Sequence, residues 1–129
     1  MSLNAFAQQV GTDVKALRYD SGLRSLNSLI ANRSSGDLTI SRIGNTVTMS
    51  ANGLTMSNSA SGSLLPSALP VGWRPTATAS VPAQGLSSRL QVTNAGNVQA
   101  YNWAAGTPIY GTVTFVVRDA VAGLPGTPA

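Results

Sequence analysis

Asp37-Leu38-Thr39-Ile40-Ser41-Arg42-Ile43-Gly44-Asn45-Thr46-Val47-Thr48-Met49-Ser50-Ala51 decides the fold. Leu38 and Ile40 alternate with Thr39 and Ser41. After Gly44-Asn45, the apolar residues Val47, Met49 and Ala51 alternate again with Thr48 and Ser50. A period of two marks half-buried strands, and a two-residue loop that opens on Gly marks a tight hairpin. Such a loop sets Ile40 opposite Met49 and Leu38 opposite Ala51. The apolar residues of both strands then share one face, as a fixed register requires. Arg42 falls on that face beside Val47, close enough to the turn for its head to reach water.

The same pattern continues outward. A strand is expected over 76–81, where Thr or Ser alternates with Ala and Val. Another is expected over 88–93, with Leu90 and Val92 on one face. Asn94-Ala95-Gly96 fits a three-residue hairpin loop with Gly in the left-handed position, pairing Val92 with Val98 and Leu90 with Ala100. The return strand covers 97–103. The strongest strand covers 109–118, with Ile109, Val113, Phe115 and Val117 on one side and Tyr110, Thr112, Thr114 and Val116 on the other. Residues 52–63 are rich in Ser and Asn and read as a strand end followed by an exposed loop. Short strands spaced by turns argue a mainly β protein, an antiparallel β-sandwich of jelly-roll-like type.

Ahead of the strands, residues 2–18 read as a short α-helix. Leu3, Phe6, Val10, Val14 and Leu17 recur at helical spacing and form one apolar stripe. A helix of about four turns is marginal alone in water, so the stripe needs a partner surface. Packing on its own domain and bundling with copies of itself both remain open. The position ahead of an all-β pattern favours the bundle. The expected division is an N-terminal helix for trimerisation or attachment at 1–20, a linker at 21–36, the β-sandwich at 37–119 and a Gly- and Pro-rich tail at 120–129.

Composition excludes much chemistry. The 129 residues suffice for one ordinary domain. There is no His and no Cys, so a zinc site of nitrogen and sulfur ligands, a Ser–His–Asp triad and a Cys–His pair cannot be built within the chain. Glu is absent, and nothing in the sequence brings together any two of Asp13, Asp20, Asp37 and Asp119. No catalytic set and no cofactor are expected. The net charge is +4. Its cations, Lys15, Arg18, Arg24, Arg33, Arg42, Arg74, Arg89 and Arg118, are dispersed, whereas nucleic-acid binders cluster theirs. Nucleic-acid binding is therefore not expected. No apolar run is long enough to span a membrane, and residues 1–15 lack the basic and apolar regions of a signal peptide.

Tyr101, Asn102 and Trp103 are candidate carbohydrate contacts, since exposed aromatics beside amides suit sugar faces and hydroxyls. The competing reading places these rings in a core or subunit interface. Gly72, Trp73, Arg74 and Pro75 read as a structural turn.

That turn lies in Leu69-Pro70-Val71-Gly72-Trp73-Arg74-Pro75, which resembles a segment of the small β-domains of bacteriophage tail fibres and minor tail proteins. Gly22-Leu23-Arg24 leading into Ser28-Leu29 also lines up with this family. So do the hairpin Arg42-Ile43-Gly44-Asn45-Thr46-Val47-Thr48 and the stretch Tyr110-Gly111-Thr112-Val113-Thr114-Phe115, with Leu124-Pro125-Gly126-Thr127 after it. Leu3-Asn4-Ala5-Phe6 through Asp13-Val14-Lys15-Ala16-Leu17-Arg18 resembles the start of minor tail proteins of phages with actinobacterial hosts. Phe115 stands where the family often carries Trp. The resemblance implies a non-enzymatic, homotrimeric virion component, made in the host cytoplasm and released by lysis. Its implied partners are copies of itself, other virion proteins of tail or capsid, and a host-surface glycan. Capsid decoration or head-fibre protein is the first alternative, and a carbohydrate-binding module the second. The resemblance brings no catalytic or ligand residues with it.

Overall fold

Alternating side chains build two antiparallel sheets whose inward faces share one apolar core. The computed structural model describes residues 19–129. The helix expected over 2–18, with its stripe Leu3, Phe6, Val10, Val14 and Leu17, lies outside the described residues. In chain order the strands are β1 (Arg24–Ser25), β2 (Arg33–Ile43), β3 (Thr46–Met56), β4 (Ala60–Ser63), β5 (Ala79–Pro82), β6 (Arg89–Val92), β7 (Val98–Trp103), β8 (Ile109–Val116) and β9 (Thr127–Pro128). One 3-10 turn, Asn27–Leu29, separates β1 from β2. The five-stranded sheet has the order β8-β3-β2-β1-β9, and the four-stranded sheet the order β4-β7-β6-β5.

Both expected hairpins hold in register. Ile40 pairs with Met49 and Leu38 with Ala51. Val92 pairs with Val98 and Leu90 with Ala100. The turns are those the loop residues demand, with Gly44 at φ 58° and Gly96 at φ 90°. Leu38, Ile40, Val47, Met49, Leu90, Val92, Val98, Ile109 and Val113 are all buried. Thr46, Thr112, Thr114 and Val116 face outward and are exposed.

Several stretches that read as connections carry strand. β2 starts at Arg33, inside the segment 21–36 taken as a linker, and β1 lies wholly within it. Irregular register between Arg33 and Asp37 accommodates Ser34-Ser35-Gly36 in the ladder. β3 runs on to Met56 because Leu54 and Met56 remain buried despite their polar neighbours. The tail 120–129 returns to the five-stranded sheet, where Thr127 pairs with Ser25 and Pro128 with Arg24. Arg24 fixes this return by donating from Nε to Pro125 O at 3.0 Å and from Nη2 to Gly126 O at 2.9 Å.

The winding differs from the jelly-roll type. β5, β6 and β7 follow one another in one sheet with β4 beside β7, a Greek-key order. The β2–β3 hairpin stays within the other sheet. Consecutive strands mostly stay within one sheet, and the chain changes sheet between β3 and β4 and between β7 and β8.

Arg42 is the second departure. Its head does not reach water, and the residue is only 6% exposed. Nε donates to Gly44 O at 2.8 Å, Nη1 to Gly72 O at 2.5 Å and to Asp119 O at 2.7 Å, and Nη2 to Asn45 Oδ1 at 3.2 Å. The Tyr19 ring lies under the guanidinium, 5.7 Å from its centroid. A buried cation is tolerated only when its donors are met. Here carbonyls from three parts of the chain meet them. Replacing the fork orphans those carbonyls, each costing about 1–3 kcal/mol when buried. Arg42→Met is therefore expected to lower the urea-unfolding free energy by about 2–4 kcal/mol. Arg42→Lys should recover only part of the loss, because one ammonium nitrogen cannot span acceptors that the planar fork reaches from three separate nitrogens.

Candidate functional site

β6 and β7 are neighbours whose inward residues, Leu90, Val92, Val98 and Ala100, are buried in the core. The period of two then puts Arg89, Gln91, Gln99 and Tyr101 on the opposite face. These four side chains form one network. Tyr101 Oη donates to Gln99 Oε1 at 3.0 Å. Gln91 Nε2 donates to Gln99 Oε1 at 2.5 Å and to Tyr101 Oη at 3.3 Å. Arg89 Nε donates to Gln91 Oε1 at 2.9 Å, and its guanidinium carbon stands 4.3 Å from the Tyr101 ring centroid. Gln91 is only 9% exposed although it points out of the sheet, because its three partners cover it. The network orients the Tyr101 hydroxyl and props the Arg89 guanidinium against the ring, a contact of about 0.5–1 kcal/mol at an exposed site.

The row extends across the sheet. Ser80 of β5 pairs with Gln91, Gln91 with Gln99, and Gln99 with Ser63 of β4. Hydroxyl and amide groups therefore line one register across all four strands. Such groups both donate and accept hydrogen bonds, as a sugar's hydroxyls require.

Tyr101, Asn102 and Trp103 do not form one patch. Three residue steps on β7, from Ala100 to Trp103, face two steps on β4, from Gly62 to Ala60. The extra residue is a bulge, and Asn102 takes φ 63° there. Asn tolerates this left-handed conformation better than most side chains. The bulge breaks the alternation. Tyr101 stays with the outward cluster, Asn102 is exposed, and Trp103 turns into the core at 5% exposure. Trp103 borders a cleft of about 300 Å³ with Asn32, Met56, Ser63 and Asn97, but its Nε1 is buried and has no hydrogen-bond partner among the described residues.

Gly72, Trp73, Arg74 and Pro75 dock the end of the chain. Trp73 is fully buried and donates from Nε1 to Gly123 O at 2.8 Å. Gly72 has φ 95°, and a Cβ there would collide with the backbone of Ala120 and Val121. Only glycine lets the two segments approach so closely. Arg74 Nε donates to Leu69 O at 2.8 Å, within its own turn.

The outward face of the five-stranded sheet has different chemistry. Hydroxyl pairs bridge its strands, Thr48 to Thr114 at 3.5 Å and Ser50 to Thr112 at 3.1 Å. Ile43, Thr46 and Val116 share one row at its end, and Ile43 and Val116 are 60% and 59% exposed. The described chain begins beside that row, where Asp20 bridges to Ile43 and Gly44 N donates to Tyr19 O at 2.7 Å.

Sequence reasoning singled out Tyr101 but missed Arg89, Gln91 and Gln99. The signal was present: a register that pairs Val92 with Val98 also pairs Gln91 with Gln99 and brings Arg89 toward Tyr101. The chain matches no known protein family, no curated protein and no solved structure.

The bulge can be tested directly. Asn102→Gly should leave stability within about 0.5 kcal/mol, whereas the β-branched Asn102→Val should cost about 1–2 kcal/mol. The Trp103 indole proton resonance should move in the Val variant and stay in the Gly variant.

Proposed function

We propose that the protein is a non-enzymatic structural component of a bacteriophage virion, a minor tail protein of the tail fibre or tail tip. In this reading it assembles as a homotrimer, contacts other virion proteins and serves attachment to the host surface. The motif order from Leu3 through Thr127 supports the family reading. The observation that carries the role is the contrast between the two outward faces. One is uncharged over its central rows and bears exposed Ile43 and Val116 beside the start of the described chain. The other bears the Arg89–Tyr101 network. An uncharged aliphatic and hydroxyl face suits packing between subunits, because no charge is desolvated.

The stripe Leu3, Phe6, Val10, Val14 and Leu17 supplies the second contact in this reading. A bundle of three such helices would bury it, and the sandwiches would pack around the same axis. Three copies of one weak glycan site gain avidity without any new contact. A capsid decoration or head-fibre protein uses the same two faces and differs only in its place on the particle. A carbohydrate-binding module would use the Arg89–Tyr101 face as a monomer.

Sedimentation equilibrium at micromolar concentration is expected to give a trimer. Val10→Asp with Leu17→Asp should give a monomer with unchanged β-sheet circular dichroism. A monomeric wild type contradicts the assembly, and a fully trimeric double variant contradicts the stripe's part in it. Gold-labelled antibody on intact particles should mark the tail end. Labelling of the head would select the capsid reading, and absence from particles would remove the virion role.

A further inference from the structure

Arg89 is a held cation that has no carboxylate partner among the described residues, and none of the hydrogen bonds among them uses its Nη2. Its Nε donates to Gln91 Oε1, and Nη1 has a contact of 3.3 Å to Ser88 Oγ. The Tyr101 ring supports the guanidinium plane from one side. Gln91 is held in turn by Gln99 and Tyr101, so the head is oriented before any ligand arrives.

The sheet that carries Arg89 offers it no carboxylate. β4, β5, β6 and β7 read Ala-Ser-Gly-Ser, Ala-Ser-Val-Pro, Arg-Leu-Gln-Val and Val-Gln-Ala-Tyr-Asn-Trp, and Arg89 is their only charged residue. Asp20 and Asp37 belong to the other sheet, and Asp119 follows β8. A solvated arginine on a stability-neutral surface needs no such scaffold of amides and phenol behind it. The row that crosses the sheet beside the cation ends in the exposed hydroxyls of Ser80 and Ser63, groups that match a polyhydroxylated ligand.

The geometry points to an acid-bearing saccharide, a uronate, as the ligand of this face. Its carboxylate pairs with the terminal nitrogens of Arg89, an arrangement that favours two parallel charge-assisted bonds. Its hydroxyls meet the exposed Ser80 and Ser63 along the row. Tyr101, Gln91 and Gln99 are positioning residues that act through Arg89. This inference rests on the glycan-attachment part of the proposed function and names the class of glycan.

Oligosaccharides of galacturonate and of glucuronate, their methyl esters and plain acetate are titrated into the full chain. Calorimetry reads affinity, and the Arg89 Nε–H resonance reads the site. At least one uronate should bind and move that resonance, with its ester about tenfold weaker or more, as loss of a charge-assisted bond implies. Acetate should be weaker than the uronate. Arg89→Gln should remove the preference for the acid over the ester. Tyr101→Phe, which keeps the ring and loses the hydroxyl, should weaken the uronate about two- to fivefold with the preference retained. Equal binding of acid and ester, or a preference that survives Arg89→Gln, overturns the uronate and leaves glycan attachment standing. Acetate as strong as the uronate overturns the saccharide part. Failure of every uronate and ester to move the Arg89 resonance overturns the uronate and the saccharide site at Arg89 together.

Discussion

A guanidinium with almost no water around it holds three separate parts of the chain together. Arg42 starts from β2, closes the first hairpin through Gly44 and Asn45, and reaches Gly72 and Asp119 in two distant connections. Those connections pack closely against each other. The segment around Ala120 and Val121 crosses Gly72 with no room for a Cβ. Trp73 then anchors Gly123, and Arg24 takes the carbonyls of Pro125 and Gly126 before Thr127 and Pro128 join the sheet. The polar interior of the molecule is thus a chain of arginine and indole donors on backbone carbonyls. With Glu absent and acids few, these donors meet carbonyl and amide oxygens rather than carboxylates.

The same shortage of charge shapes the surface. Strand residues that face outward are mostly Thr, Ser, Asn and Gln, so each sheet has a mostly uncharged exterior. Against that background single residues set the character of a face. Ile43 and Val116 make one end of the five-stranded sheet apolar. Arg89 makes the four-stranded sheet cationic, and the amides around it keep it in one orientation. In the proposed reading, one face serves a neighbouring subunit and the other a hydroxyl-rich ligand.

Much of the fold was legible wherever a turn fixes a register. Gly44-Asn45 and Asn94-Ala95-Gly96 set both hairpins, and the inward residues nearest each turn followed by parity, until the register shifts near Gly53 and Asn102. Legibility failed where position depends on contacts remote in sequence. The burial of Arg42 rests on Gly72 and Asp119, 30 and 77 residues away. β9 has no hydrophobic pattern of its own and exists because β1 offers an open edge. The bulge at Asn102 decides between the two readings of Trp103 in favour of the core, since one inserted residue shifts every later side chain to the other face. Tyr101 was recognised as a single aromatic. Its site needed the cross-strand neighbours that the hairpin register already implied.

The assignment of the two faces is tested most directly by hydroxyl-radical footprinting of the isolated chain against the chain on intact particles. Leu23, Ile43 and Tyr110, exposed in the single chain, report on the five-stranded sheet and its approach, and Tyr101 reports on the other face. Assembly is expected to protect Leu23 and Ile43 severalfold while Tyr101 keeps its reactivity. Protection of Tyr101 with unchanged Leu23 and Ile43 would contradict it.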